Sequence, residues 1–462
     1  MLLSYSILGG RLALHEQDCQ TVEDANYLCL YYGTLRASTE LAIQAVAGSV
    51  ESEGCSDCFL GPYLTVTYHK RNRAISIRQH YFGAPVTLYY AHIGNNFFLS
   101  TSLVQLRSHI RTDIALNVDM LPHFFYNGFL PGTHTLAKGI HKLPPGWWAE
   151  LDADGIQIGR TSYRLETDLQ VPDEEFYTSA MRESVKALAQ AGDNPCDIAL
   201  SGGYDSNCIL HFLHGLFPHN AIRAFSVGGI IGTDETATAR SIASFYPAVA
   251  FFSSLVTPET RLAMDDIVYR LEGSVYERGI FLQYELAKLL RQHGSHRLIC
   301  GECADQVFHS KGYSPAGEKT FLFDYRHTPY EMASNVVLKK SSLMLNSFGI
   351  AGAYPFLDMN VLRLGYRTRE RNGTNKRFHR EQCIRLLPEE ITILLAKTGG
   401  STSLCALFDS SFDGLQAAKQ MRYYSDSFHL SQKYEKREAA LDYYLSLCYL
   451  ESFERQFCGS FN

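Results

Sequence analysis

Ser201, Gly202, Gly203, Asp205 and Ser206 close a short apolar run in the stretch CDIALSGGYDSNCIL, residues 196–210. Ile198, Ala199 and Leu200 read as the end of a buried strand, and the apolar spacing after Ser206 reads as a helix. Glycines and hydroxyls between a strand end and a helix start suit a phosphate. Backbone N–H groups can converge there, the helix end carries partial positive charge, and Ser201 and Ser206 can donate. A lysine-bearing Walker loop is excluded, because no Gly-Lys-Ser/Thr follows. Asp205 would repel a phosphate unless a Mg²⁺ bridges the two. A tight turn with a helix cap needs only one glycine and one serine, so the fuller pattern points to phosphate binding.

Such a loop belongs at the carboxyl end of a strand in a parallel sheet. The chain around it supplies one. Residues 221–229 and 296–302 read as strands, while 174–190, 234–246 and 284–294 read as helices. Strands that alternate with helices imply a parallel sheet covered on both faces. The first 165 residues differ. Short alternating runs at 63–69, 74–79, 86–92 and 96–102 read as strands, and Asp154-Gly155 as a hairpin turn. The expected fold is therefore α/β. An antiparallel, layered domain over 1–165 precedes a parallel-sheet domain over 178–462, with a polar, proline-bearing boundary between them. The last 100 residues read as all-helical, with Tyr443, Leu447, Leu450, Phe453 and Phe457 on one helix face.

Composition sets the outer bounds. The chain has 462 residues, 46% of them hydrophobic, which is enough for two cores. Lys plus Arg number 42 against 48 Asp plus Glu, a net charge of −6, so no basic face calls for nucleic acid. The 12 Cys are too few for a disulfide scaffold of this size. The pairs Cys55/Cys58 and Cys300/Cys303 are too far apart in sequence for a zinc ribbon and read as reduced thiols. His211, His214 and His219 lack a carboxylate or Cys at ligand spacing and read as polar helix positions. No apolar run reaches the roughly 18 residues of a membrane span. The first 17 residues read as a strand and not a signal peptide, so the cytoplasm is the expected compartment.

The serine-glycine hexapeptide resembles the pyrophosphate loop of adenylating ATP pyrophosphatases. Further stretches narrow the resemblance to the asparagine synthetase superfamily. VTLYYAHIGNNFFLSTSLVQL and IHKLPPGWWAEL resemble its N-terminal domain. CGECADQVF (300–308), YPFLDMNVL (354–362) and NKRFHREQCIRLLPEEITILLAKTGG (375–400) resemble segments of its synthetase domain, in family order. The resemblance implies ATP and Mg²⁺. It implies that Leu200, Ser201, Gly202, Gly203, Asp205 and Ser206 form the ATP loop, that Val227 touches adenosine and that Gly301 lies beside the nucleotide. Asp205 and Asp305 would hold Mg²⁺, and Lys376 the pyrophosphate. Lys397 would face the reacting acyl phosphate, and Glu302 the incoming amine. Cys303, Ala304 and Gln306 depart from the usual residues next to Glu302 and Asp305.

Glutamine-dependent members begin with a Cys after the initiator Met, whereas this chain begins Met1-Leu2-Leu3. The expectation is an amidotransferase-like domain without glutaminase activity. Loss of that Cys resembles the lasso-peptide macrolactam cyclases and the β-lactam synthetases, in which one substrate carries both carboxylate and amine. Glu302, where β-lactam-type enzymes carry Tyr, and the helical tail resemble the lasso cyclases more closely. That resemblance implies a ribosomal peptide substrate and a leader-processing protease as partner. An ammonia-using asparagine synthetase and a non-catalytic metabolite-binding paralogue stay open as alternatives.

Overall fold

In the computed structural model, the described residues are 1–6, 11–16, 19–36, 58–160, 172–191, 196–218, 221–229, 235–308, 333–373, 375–395, 404–425 and 436–459. The strands are β1 (Leu2–Ser6), β2 (Arg11–Glu16), β3 (Gln20–Glu23), β4 (Tyr27–Tyr32), β5 (Leu64–His69), β6 (Ala74–Gln79), β7 (Tyr89–Ile93), β8 (Asn96–Ser100), β9 (His141–Lys142), β10 (Trp147–Asp152) and β11 (Gly155–Arg160). A second group follows: β12 (Cys196–Ala199), β13 (Ile222–Gly228), β14 (Val249–Leu255), β15 (Arg297–Ile299) and β16 (Ala351–Ala353).

The first eleven strands form two antiparallel sheets, in orders β2-β1-β8-β7-β9 and β11-β10-β6-β5-β4-β3. Alternation explains the layering. Leu3 and Tyr5 of β1 join Leu30, Leu64, Val66, Ile75 and Ile77 of the other sheet in one buried cluster. Leu2 points the opposite way and joins the larger core that runs into the second half of the chain. The single strand expected at the start is two, since β1 pairs with both β2 and β8. The hairpin of β10 and β11 turns at Ala153-Asp154, one residue before the expected Asp154-Gly155, and Gly155, with φ 121°, opens β11 opposite Asp152.

The other five strands form one parallel sheet, in order β14-β13-β12-β15-β16. Its central strand, β12, bears the glycine-serine stretch, flanked by β13 and β15. The helices Asp173–Gln190, Tyr204–Leu216, Glu235–Ala243 and Ile280–Gln292 bury apolar stripes against a continuous core. β15 is shorter than the seven-residue run suggested, because Gly301 and Glu302 leave the sheet for a turn. The C-terminal helix Lys436–Phe457 buries Leu447, Leu450, Phe453 and Phe457 as expected, and Leu441, Leu445 and Tyr449 besides. Tyr443 is only half-buried and donates its hydroxyl to the Ser425 carbonyl at 3.3 Å.

Among the described residues, no helix is long and apolar enough to cross a membrane. Cys300 and Cys303 are free thiols, and among the described residues no group of three or more His, Cys, Asp or Glu is placed to hold a metal. Cys55 and His219 lie outside the described residues.

Candidate nucleotide and acyl-transfer site

The loop after β12 folds around its own hydroxyls. Ser206 Oγ accepts from the Ser201 N–H at 3.1 Å and lies 3.1 Å from Ser201 Oγ, which accepts from the Gly203 N–H at 3.2 Å. Two of the N–H groups expected to face a phosphate are thus satisfied inside the loop. Neither glycine has a left-handed φ, so their role is spatial. A Cβ on Gly202 would meet Thr238 Cγ2 at 3.1 Å, and one on Gly203 would meet Ser201 Oγ at 3.3 Å. The anion-binding capacity lies at the helix. No side chain caps the start of Tyr204–Leu216, and its first N–H groups have no helical partner.

Three strand ends meet at this edge of the sheet. Leu200 is buried behind the loop and bonded through its N–H to the Phe225 carbonyl of β13. Val227, near the end of β13, is partly buried against the same core. Gly301 follows β15 and packs on the loop. A Cβ there would sit 3.2 Å from the Ser206 backbone nitrogen and 3.4 Å from Asp205 Cβ, so glycine sets how closely the two turns approach.

The charged centre joins residues far apart in sequence. Lys376 Nζ donates to Asp205 Oδ1 at 2.8 Å and Oδ2 at 2.7 Å, and pairs with Asp305 Oδ1 at 2.7 Å. The lysine is buried, whereas Asp205 and Asp305 are partly open. Burial alone would push the Asp205 carboxyl up. The Lys376 ammonium and His379 overcome it and hold Asp205 far below the usual carboxylate range. Burial opposes the Lys376 charge, but Asp205 and then Asp305 raise this lysine above an ordinary one.

Glu302 sits one turn away and accepts from Gln283 Nε2 at 2.9 Å. Burial pushes its carboxyl up. The Lys340 ammonium opposes that shift, and the carboxylates of Glu277, Asp305 and Asp205 reinforce it. A raised carboxyl in a cleft is suited to proton transfer. The thiols of Cys300 and Cys303 flank it, and burial keeps both protonated.

The structure thus brings together Ser201, Gly202, Gly203, Asp205, Ser206, Gly301, Glu302, Asp305 and Lys376, with Leu200 and Val227 behind. Lys397 lies outside the described residues. Four further residues support the site, none of them among the expected site residues. Asn207 Nδ2 ties down the Ser201 and Gly203 carbonyls at 2.9 and 2.7 Å. Gln283 holds Glu302, and His379 and Tyr177 back Asp205. Only Asn207 could have been found from the sequence, as an amide one turn into the helix behind the loop. Two open surface grooves, of about 530 and 450 Å³, lie elsewhere and are lined by none of these residues.

The asparagine synthase family matches residues 177–333, and the glutamine amidotransferase domain family matches residues 35–164. The first match takes in the loop, Val227, Gly301, Glu302 and Asp305 and stops short of Lys376, whose place rests on its contacts. No curated protein matches the chain. Among solved structures it is similar to the allosteric regulatory enzyme of purine biosynthesis, at 10% identity and a TM-score of 0.22, over 55% of this chain and 65% of that one. It is also similar to glutamine phosphoribosylpyrophosphate amidotransferase from B. subtilis complexed with ADP and GMP. There the identity is 9% and the TM-score 0.21, over 76% of this chain and 75% of that one. The chain thus spans just under two thirds of the first of these structures. The two family matches support an ATP-dependent, amide-forming ligase in general, and with it the asparagine synthetase superfamily.

Proposed function

We propose that this chain adenylates a carboxylate with ATP, releases pyrophosphate, and passes the acyl group to an amine of the same substrate. One observation carries the reading: Asp205 and Asp305 converge on Lys376 at the carboxyl edge of the parallel sheet, beside an uncapped helix N-terminus. Polyphosphate chemistry needs cations and N–H donors aimed at the leaving phosphates, and this edge supplies both.

The residues fit Mg²⁺. Asp205 and Asp305 offer hard carboxylate oxygens, and the point they face already holds positive charge in the Lys376 ammonium. Magnesium, when bound, offsets charge on the pyrophosphate oxygens. The chain's own groups do the rest. The first N–H groups of Tyr204–Leu216 and the hydroxyls of Ser201 and Ser206 bind phosphate oxygens. Val227 and Gly301 border the nucleoside. A substrate carboxylate oxygen then bonds to the α-phosphorus as the bond to the β-phosphate oxygen breaks. In the second step the amine nitrogen bonds to the acyl carbon, AMP leaves with its oxygen, and Glu302 takes the amine proton. We assign Lys397 to the developing charge at that carbon.

The proposed substrate is a lasso-type ribosomal peptide. Its N-terminal amine and an Asp or Glu side chain would close a macrolactam, after a partner protease removes the leader. Tethering both groups in one molecule replaces delivered ammonia with an intramolecular nucleophile. The N-terminal half acts as a scaffold without glutaminase activity.

The test is AMP release from Mg-ATP with two substrate sets. Release with a leaderless peptide carrying a free N-terminus and an acidic side chain, and loss of water from the product mass, supports the cyclase. Release with aspartate and ammonia, yielding asparagine, would replace it with a simple ammonia-dependent synthetase. Release only with a small amino acid that cyclises would replace it with a β-lactam-type ligase. Mg-ATP binding without AMP under any of these conditions would leave a non-catalytic paralogue.

A further inference from the structure

His379 is fully buried, yet its ring reaches the cluster of Asp205, Lys376 and Asp305. Nε2 lies 2.8 Å from Asp205 Oδ1, and Nδ1 lies 3.0 Å from the Tyr177 hydroxyl. The ring is clamped by Phe308, stacked at 4.5 Å, and by the edge of Phe356 at 5.5 Å. Three residues before it, on the same helical turn, stands Lys376, which bonds the same carboxylate. We propose that His379 is a positioning residue for Asp205: its Nε2–H fixes Oδ1 so that the carboxylate stays aimed when Lys376 and Mg²⁺ exchange places on it.

Proton bookkeeping fixes the direction of each bond. A neutral imidazole has one N–H and one acceptor nitrogen. The Asp205 carboxylate only accepts, so the proton is on Nε2. Nδ1 must then accept, so the Tyr177 hydroxyl donates to it. Tyr177 Oη keeps lone pairs for the buried thiols of Cys208 and Cys383, 3.3 and 3.6 Å away. Every member has a partner, and the chain runs one way, from Tyr177 to Asp205. Burial keeps His379 below an ordinary imidazole despite Asp205, consistent with the neutral ring.

The division of labour on Asp205 follows. Oδ1 is bonded by both Lys376 and His379, while Oδ2 is bonded by Lys376. Were the ammonium to turn toward a phosphate, Oδ1 would keep the imidazole and the carboxylate would be free to help hold a Mg²⁺. Without His379, the carboxylate would lose every charge-assisted bond at the moment it must hold its aim. Partners that orient metal-bound carboxylates typically change metal affinity by roughly 10–100-fold when removed.

This inference rests on the ATP-site reading, and the experiment separates the two. The full-length protein is titrated with Mg²⁺ in the presence of a non-hydrolysable ATP analogue, with binding followed by calorimetry. The expected result is a Mg²⁺ midpoint raised by roughly tenfold or more in His379→Leu. His379→Gln, whose amide Nε2 can still donate to Asp205, returns the midpoint toward wild type. Tyr177→Phe, which unlocks the tautomer but spares the ring packing, gives an intermediate shift. A midpoint in His379→Leu equal to wild type overturns the proposal, whatever happens to melting temperature. If that variant does not fold, an unshifted Tyr177→Phe overturns it instead. A wild-type protein that binds no nucleotide with Mg²⁺ overturns the ATP-site reading itself, and this inference with it.

Discussion

Replacing Lys376 with Met tests the charged centre directly. The ammonium lies 2.7–2.8 Å from both oxygens of Asp205 and 2.7 Å from Asp305, with its own side chain 4% exposed. Breaking a buried pair by removing one partner costs about 3–5 kcal/mol, because a charge is left uncompensated. Asp305 is 44% exposed, so water screens its share down to that of a surface pair, under about 1 kcal/mol. Asp205, 25% exposed, carries the larger part, for a total near the lower bound, about 3 kcal/mol. Hydrogen exchange in the helix Tyr204–Leu216 reads this locally, and about 3 kcal/mol corresponds to roughly hundredfold faster exchange. The pH dependence has a definite sign. In the wild type Asp205 is depressed below its ordinary 3.8, so its stabilising contribution is present above that value and is lost on acidification. In Lys376→Met the larger opposition to burial is gone, only His379 remains, and the carboxyl rises. The difference between the two proteins should therefore be full at pH 7 and shrink as pH falls toward and below 4. Unchanged exchange at pH 7 would refute the claim that this ammonium holds the carboxylates.

Three further outcomes follow from named contacts. Glu302→Gln should keep AMP formation but lose amide product by roughly 10²-fold or more, measured by product mass; undiminished yield would remove Glu302 as proton acceptor. Gly301→Ala puts a methyl 3.2 Å from the Ser206 backbone nitrogen and should cut turnover by roughly tenfold or more with little change in melting temperature; unaffected turnover would show that the two turns need not approach so closely. Burial holds Lys339 down to about 7 and Lys142 to about 8, whereas an unfolded lysine keeps its proton to about 10.5. The unfolded chain therefore binds more protons between these values, and stability should rise with pH there by up to about 1.4 kcal/mol per unit for each lysine. Chemical denaturation from pH 7 to 9 should show a smaller slope in Lys339→Met than in wild type.

The loop was legible because its chemistry is local. Two glycines, two serines and an acid between a strand and a helix state a purpose within six residues. The parallel sheet is legible from alternation of strands and helices, although β14 carries little strand signal, since VAFFSSL mixes apolar and hydroxyl residues without a clear period. The helix around 284–294 begins earlier, at Ile280, because Gly279 and not the first charged residue marks its start. The groups that position the site were not legible. Gln283, Tyr177 and His379 each look like ordinary interior or helix residues in isolation. His379 meets Asp205 across 174 positions and Tyr177 across 202, and no spacing rule reaches that far. Lys376 and Asp305 were found only through family resemblance, because a lone Lys before a helix and a lone Asp after a turn carry no signal of their own.

Backbone conformation adds what neither composition nor spacing could. Of the described non-glycine residues with a left-handed backbone, two stand at this site: Cys303, with φ 70°, and Lys376, with φ 57°. Each is the residue immediately before a helix, Ala304–Val307 in one case and Arg377–Leu386 in the other. Such conformations cost of order 1–3 kcal/mol and persist only where the surroundings hold them. At Cys303 the turn delivers Asp305 two residues on, and burial of the thiol pins it. At Lys376 the turn brings the ammonium and, one helical turn later, the His379 ring onto a single carboxylate. Glycine would relieve the strain at either position, but at Lys376 it would remove the cation that the strained turn exists to place. The ion cluster therefore both requires this backbone and stabilises it, so the Lys376 turn and the Asp205 carboxylate act as one unit, and perturbing either should disturb both.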